Sequence, residues 1–143
     1  MQEMWKANLG IEIELVNKEW KTYLQDIDTL EYQIARAGWI GDYNDPMTFL
    51  GMWVTGNGNN DTGWSNPEYD GLIERASQET DLQERKRLLQ RAEALLLKEG
   101  PVIPIYWYTN NMLVWNEIEG FEPHNRDVHL FKYMSLPDED GAK

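Results

Sequence analysis

The sequence predicts an α/β fold, a mostly parallel sheet flanked by helices, and three features carry that reading. "IEIELV" alternates Ile11, Ile13 and Leu15 with Glu12 and Glu14, the period of a half-buried strand. "EWKTYLQDI" then spaces Trp20, Tyr23, Leu24 and Ile27 at helical intervals. "YQIARAGWI" returns to strand character. A strand, a helix and a second strand joined by a crossover of this length form a right-handed βαβ unit, which requires parallel strands.

The remaining elements follow along the chain. Gln2 to Leu9 reads as a short helix with Met4 and Ala7 on one face and Gly10 as its stop. Pro46 suits the first turn of a helix running through Trp53, with Asn44 or Asp45 as its cap. "TGNGNNDTG" is a loop by composition. Asn66, Pro67 and Glu68 open another helix that reaches about Ser77. Asp81 with Glu84 three residues on has the form of a capping box. The long helix behind it places Leu82, Leu88, Leu89, Ala92, Leu95 and Leu96 on one face and ends at Gly100–Pro101. "VIPIYWYT" reads as a strand whose Pro104 marks an edge or a bulge. Beyond Asn110 the pattern weakens to a hairpin at "MLVWNEIEGF", a last strand at "VHLFKYM" and a loose tail at "LPDEDGAK".

Composition narrows the function. The chain has 143 residues, a size at which one domain buries a substantial core. A net charge of −12 argues against nucleic acid and anionic membranes as partners and favours cationic groups. There is no cysteine, hence no disulfide, thiol nucleophile or cysteine metal site. No apolar run reaches the ~18 residues of a membrane span. Seven Trp and seven Tyr supply rings that serve core and recognition surface alike.

Catalytic patterns are weak. His124 and His129 are the two histidines, and no G-x-S-x-G elbow occurs. Asp42 and Asp45 offer a carboxylate pair of the glycosidase kind, although capping accounts for Asp45 more simply. Asn57, Asn59, Asp61 and Glu68 fall at calcium-loop spacing, but Thr62 stands where that loop needs glycine. The stretch "ARAGWIGDYNDPMTFL" is more informative. In an open parallel sheet, ligands bind beyond the carboxyl ends of the strands. Trp20 and Trp39 both follow such ends, and Asp42 joins them. The residues alone leave two readings open: rings in the core beside a turn-forming aspartate, or a binding rim with a ligand carboxylate.

"NKEWKTYL", "ARAGWIGDYNDPMTFL", "NPEYDGLIERA", the Leu-rich helix and "PVIPIYWYTNNMLVW" come in order and at fitting spacings. Together they resemble the C-terminal lobe of the oligopeptide- and dipeptide-binding proteins that feed ABC importers, extracellular solute-binding protein family 5. The resemblance covers nearly the whole chain. It implies one lobe of a periplasmic-binding-protein type II fold that binds short peptides without catalysis, cofactor or metal, and that docks on the membrane subunits of an importer. It further implies a periplasmic or extracytoplasmic location, with a lipid anchor in some longer relatives.

Residue by residue, the resemblance implies that Asp42 takes the α-ammonium of a peptide. Trp39 and Trp20 would wall side-chain pockets, and the backbone of Gly38 and Ile40 would pair with the extended peptide as an added strand. Arg36 would meet the carboxylate of shorter peptides, and Tyr108 would face the cleft. Residues 1–110 would form the peptide-binding lobe, and 111–143 a crossover and tail completing the other lobe. The chain is therefore expected to be a portion of a longer protein. Its apolar residues after Asn110 are expected to associate with a second copy, exchange between protomers or be poorly ordered. Alternative cargoes on the same fold are a nickel chelate, heme or an oligosaccharide. Glycoside hydrolase and calcium-stabilised interaction module are the readings of a different class.

Overall fold

Helices account for the regular structure of the computed structural model, which describes residues 1–109, 111–124 and 128–136. They are α1 (Gln2–Leu9), α2 (Trp20–Asp28), α3 (Met47–Leu50), α4 (Pro67–Gln78) and α5 (Leu82–Glu99). Single 3₁₀ turns follow at Gly51–Trp53 and Phe131–Tyr133. Two compact units form: Met1–Ala37 with Asp61–Gly63, and Gly38–Asn60 with the residues from Trp64 onward.

Local chemistry explains each helix end. In the first unit α1 stops at Gly10, whose φ of 68° is left-handed; its N–H donates to the Lys6 carbonyl at 3.2 Å, and the Ile11 N–H donates to the Trp5 carbonyl at 3.3 Å. The side chain of Glu19 caps α2 by accepting from the N–H groups of Lys21 and Thr22. In the second unit the Asn66 side chain accepts from Glu68 and Tyr69 at the head of α4, where Pro67 needs no partner. Asp81 accepts from Gln83 and Glu84 at 2.9 and 2.8 Å. The capping box is not reciprocal, however. Glu79 takes the Asp81 N–H at 2.8 Å, and Glu84 turns to Arg87 instead.

The core lies in the second unit. Helices α4 and α5 form a hairpin that buries Tyr69, Leu72, Ile73 and Ala76 against Leu88, Leu89, Ala92 and Leu96. Each fully buried large aliphatic side chain contributes about 2 kcal/mol. Met47, Leu50, Trp53 and Trp64 pack on this cluster, which attaches α3 to the hairpin. Leu82, expected on the core face, is 76% exposed at the first position of α5.

The expected sheet is absent from the described residues. Residues 11–16, 32–40 and 102–109 enter no β-ladder, and the one pairing is an isolated antiparallel bridge from Glu119 to Ser135. Alternation makes a segment fit for a sheet, but a strand exists only when another strand accepts its hydrogen bonds. The last expected strand fails for a different reason, because Phe131–Tyr133 turns as a 3₁₀ helix. The expected hairpin at "MLVWNEIEGF" is likewise replaced by a turn at Asn116–Glu117 and the longer-range bridge. Apart from Leu136, the expected tail lies outside the described residues.

Candidate functional site

Segment 38–50 carries most of the expected site residues, and its shape follows from three anchors. Asp45 caps α3 by accepting the Met47 N–H at 2.9 Å on its side chain. The Asp45 carbonyl accepts from Thr48 at 3.2 Å. Thr48, 5% exposed, turns its hydroxyl back to accept the Asp42 N–H at 2.9 Å. Position 41 is tight: a Cβ there would lie 3.2 Å from Thr48 Cγ2 and 3.1 Å from the Phe49 ring, so a larger residue would require those side chains to give way by a few tenths of an ångström. Asp42 itself is exposed, on a turn whose backbone is held from beneath.

The carboxylate of Asp45 is fully engaged. Arg85 on α5 donates from Nη1 to Oδ2 and from Nη2 to Oδ1, each at 2.8 Å, and its Nε donates to the Ala76 carbonyl at 3.1 Å. The guanidinium holds the Asp45 carboxyl below the usual carboxylate range, and Asp45 in turn raises Arg85. At its other end α3 is fixed by the buried Tyr69, whose hydroxyl donates to the Leu50 carbonyl at 2.6 Å. Burial raises the pKa of that hydroxyl well above its ordinary value.

Trp39 is 36% and Ile40 80% exposed beside Asp42. Tyr108 approaches from the chain beyond α5, with its Cε2 3.7 Å from where a Gly38 Cβ would lie. It makes an edge-on pair with Tyr106 at 4.9 Å. Gly38, Trp39, Ile40, Asp42 and Tyr108 are thus all in the second unit, and the Tyr108 ring neighbours the Gly38 backbone.

Trp20 and Arg36 belong to the first unit. Trp20 is 65% exposed and stacks on Tyr23 at 5.2 Å. The Tyr23 hydroxyl donates to the Arg36 carbonyl at 2.7 Å, so one tyrosine joins the start of α2 to the segment bearing Arg36.

Asp45 is held by Arg85, so it is not offered to Asp42 as the second carboxylate of a glycosidase pair. Asn57 accepts the Asn59 N–H on its side chain at 2.9 Å and donates to the Gly51 carbonyl, while Glu68 faces Arg91 at 3.7 Å. These contacts shape a loop and a helix face. Among the described residues, no group of three His, Asp or Glu side chains is placed to hold a metal ion. Thr48 and Arg85 escape sequence reasoning because their partners lie six and 40 residues away. For Arg85, a lone arginine on the inner side of a Leu-rich face is the signal available.

Residues 1–61 match the family described as bacterial extracellular solute-binding proteins, family 5 Middle. The oligopeptide-binding protein OppA of Bacillus subtilis is 46% identical over 121 residues, which span 84% of this chain and 22% of that protein. The solved murein tripeptide-binding protein MppA of Escherichia coli superposes with a TM-score of 0.83 at 36% identity, over 94% of this chain and 27% of that one. Haemophilus influenzae OppA in complex with RPPGFSPFR gives a TM-score of 0.80 at 32% identity, over 96% and 27%. The chain therefore spans about a quarter of the length of these relatives.

Proposed function

Since the chain belongs to the bacterial extracellular solute-binding proteins of family 5, we propose that it is the part of a peptide importer's capture protein that receives the amino end of a short peptide. The observation that carries this reading is Asp42, an exposed carboxylate on a turn fixed by Thr48 and flanked by Trp39. An ammonium brought to that carboxylate in a closed, water-poor cleft must find its counter-charge, and leaving one partner unmatched there costs about 3–5 kcal/mol. Trp39 and Trp20 supply ring surface for side chains. Gly38 and Ile40 supply backbone groups that recognise any peptide as an added strand. Tyr108 closes over the Gly38 end. Arg36 offers a cation to the carboxylate of shorter peptides.

The sheet belongs to the same proposal. Ile103, Ile105 and Trp107 on one face of an extended run, and Tyr106 and Tyr108 on the other, are all more than half exposed. A run that is apolar on both faces suits a strand covered on both sides. Residues 11–16, 32–40 and 102–109 then become strands when the rest of a two-lobed protein supplies their neighbours. In this arrangement residues 1–110 serve the peptide-binding lobe and 111–143 cross back to complete the other. The whole protein works outside the cytoplasm, anchored by lipid or free in a periplasm, and delivers to the membrane subunits of an ABC importer. Taken by itself, this chain associates with a second copy through the apolar residues after Asn110.

Calorimetric titration of the two-lobed protein with a free tripeptide and its N-acetyl form tests the reading. Binding of the free peptide, and much weaker binding of the acetylated one, supports it. Equal affinities for the two would sink it.

A further inference from the structure

We infer that Thr48, backed by the Asp45–Arg85 pair, is a positioning residue for the Asp42 carboxylate and sets how strongly this site favours a charged ammonium. The inference rests on the proposed role of Asp42 and concerns what makes that role effective. The carboxylate is exposed, so its aim depends on the backbone beneath it. That backbone is fixed by a short relay. The Asp42 N–H donates to the buried Thr48 hydroxyl, and Thr48 Cγ2 lies against the Gly41 backbone. The Thr48 N–H donates to the Asp45 carbonyl, and the Asp45 carboxylate is gripped by Arg85. Arg85 Nε is tied to the Ala76 carbonyl, inside the buried α4–α5 hairpin.

A rigid core is thereby connected, bond by bond, to one exposed turn. Threonine at 48 serves a double purpose there. Its methyl fills the space against Gly41, and its hydroxyl accepts the Asp42 N–H that orients the turn. A carboxylate on a turn already held in place loses little freedom when it meets a cation. On a loosened turn it must first be ordered, and one residue's worth of backbone order corresponds to about tenfold in affinity.

The test uses the two-lobed protein carrying this chain, with trialanine and N-acetyl-trialanine as probes in calorimetry. Thr48→Val keeps the shape and removes the hydroxyl. It should weaken trialanine about tenfold, leave the acetylated peptide unchanged, and so lower the ratio of the two affinities. Thr48→Ser keeps the hydroxyl and should hold the ratio. In the Asp42→Asn background, Thr48→Val should add no further loss, because the two changes act on one interaction. Arg85→Lys, which keeps the charge but not the fork, approaches the relay from its other end and should lower the same ratio about threefold. It provides the reading if Thr48→Val fails to fold. An equal loss for both peptides, or a ratio unchanged in the variants that fold, overturns the inference while Asp42→Asn still abolishes discrimination. Asp42→Asn with discrimination intact removes the underlying reading, and the inference with it.

Discussion

Arg85 binds both carboxylate oxygens of Asp45 across 40 residues of sequence, at 2.8 Å each. The pair joins α5 to the turn that leads into α3, and neither residue is more than a third exposed. Exposed ion pairs contribute little, whereas breaking a buried one is costly. This pair lies between those limits. Arg85→Met should destabilise the protein by about 2 kcal/mol, since it strands Asp45 and also frees the Ala76 carbonyl. Chemical denaturation of the wild type and the variant measures it.

The same pair carries a pH dependence of definite sign. Arg85 lowers the folded Asp45 carboxyl below its unfolded value of about 3.9. Its contribution is therefore complete above about pH 4 and is lost as the pH falls through the folded value. The stability gap between wild type and Asp45→Asn should be constant from about pH 5 to 7 and narrow steadily as the pH falls below the unfolded value of about 3.9 toward the folded one. A gap that persists undiminished at pH 2 would exclude the ion pair as its source.

Asp42→Asn in the two-lobed protein should weaken peptide binding by about two to three orders of magnitude. Its melting temperature should stay close to the wild type, because the Asp42 side chain is exposed and its contact with Thr48 runs through the backbone. Titration and a melting curve on the same preparation separate the two effects.

Gly120 has a φ of 73°, and a Cβ there would lie 1.9 Å from the Tyr133 carbonyl oxygen. Backbone must move to admit any side chain. Gly120→Ala should open the Glu119–Ser135 bridge and cost about 2 kcal/mol or more locally. Amide exchange at Glu119 and Ser135, whose N–H groups donate to each other's carbonyls at 3.1 Å, reports it directly.

Helices and their caps are legible in the sequence because they are local. Asn66, Pro67, Asp81 and Gly100 act within four residues of themselves, and each does what its type and position indicate. Asp45 is half legible. Its capping of Met47 follows from the sequence, while its capture by Arg85 depends on how α5 returns across α3. Thr48 looks like an ordinary residue of a short helix, and only folding brings its hydroxyl under Asp42. The β segments fail for the reason that makes sheets non-local. "IEIELV" states which of its faces is apolar, but not where a partner strand is. Among the candidate site residues, the block from Gly38 to Asp42 is contiguous and reads as a unit. The approach of Tyr108 to Gly38 spans 70 residue numbers and needs the fold.

The α4–α5 hairpin also bears on when the turn carrying Asp42 takes its shape. Its helices are joined by only residues 79–81, so its contacts close short loops and can form early in folding. Asp45 precedes Arg85 by 40 residues in the chain, and until α5 is in place the Asp45 carboxylate has no guanidinium to grip it. The hairpin should therefore act as the nucleus, and the turn bearing Asp42 should set late. Substitutions inside the hairpin, such as Leu88→Ala, should slow folding, while Asp45→Asn should mainly speed unfolding. Pulsed hydrogen exchange that found the Asp42 amide protected before those of Leu88 and Leu89 would reverse this order.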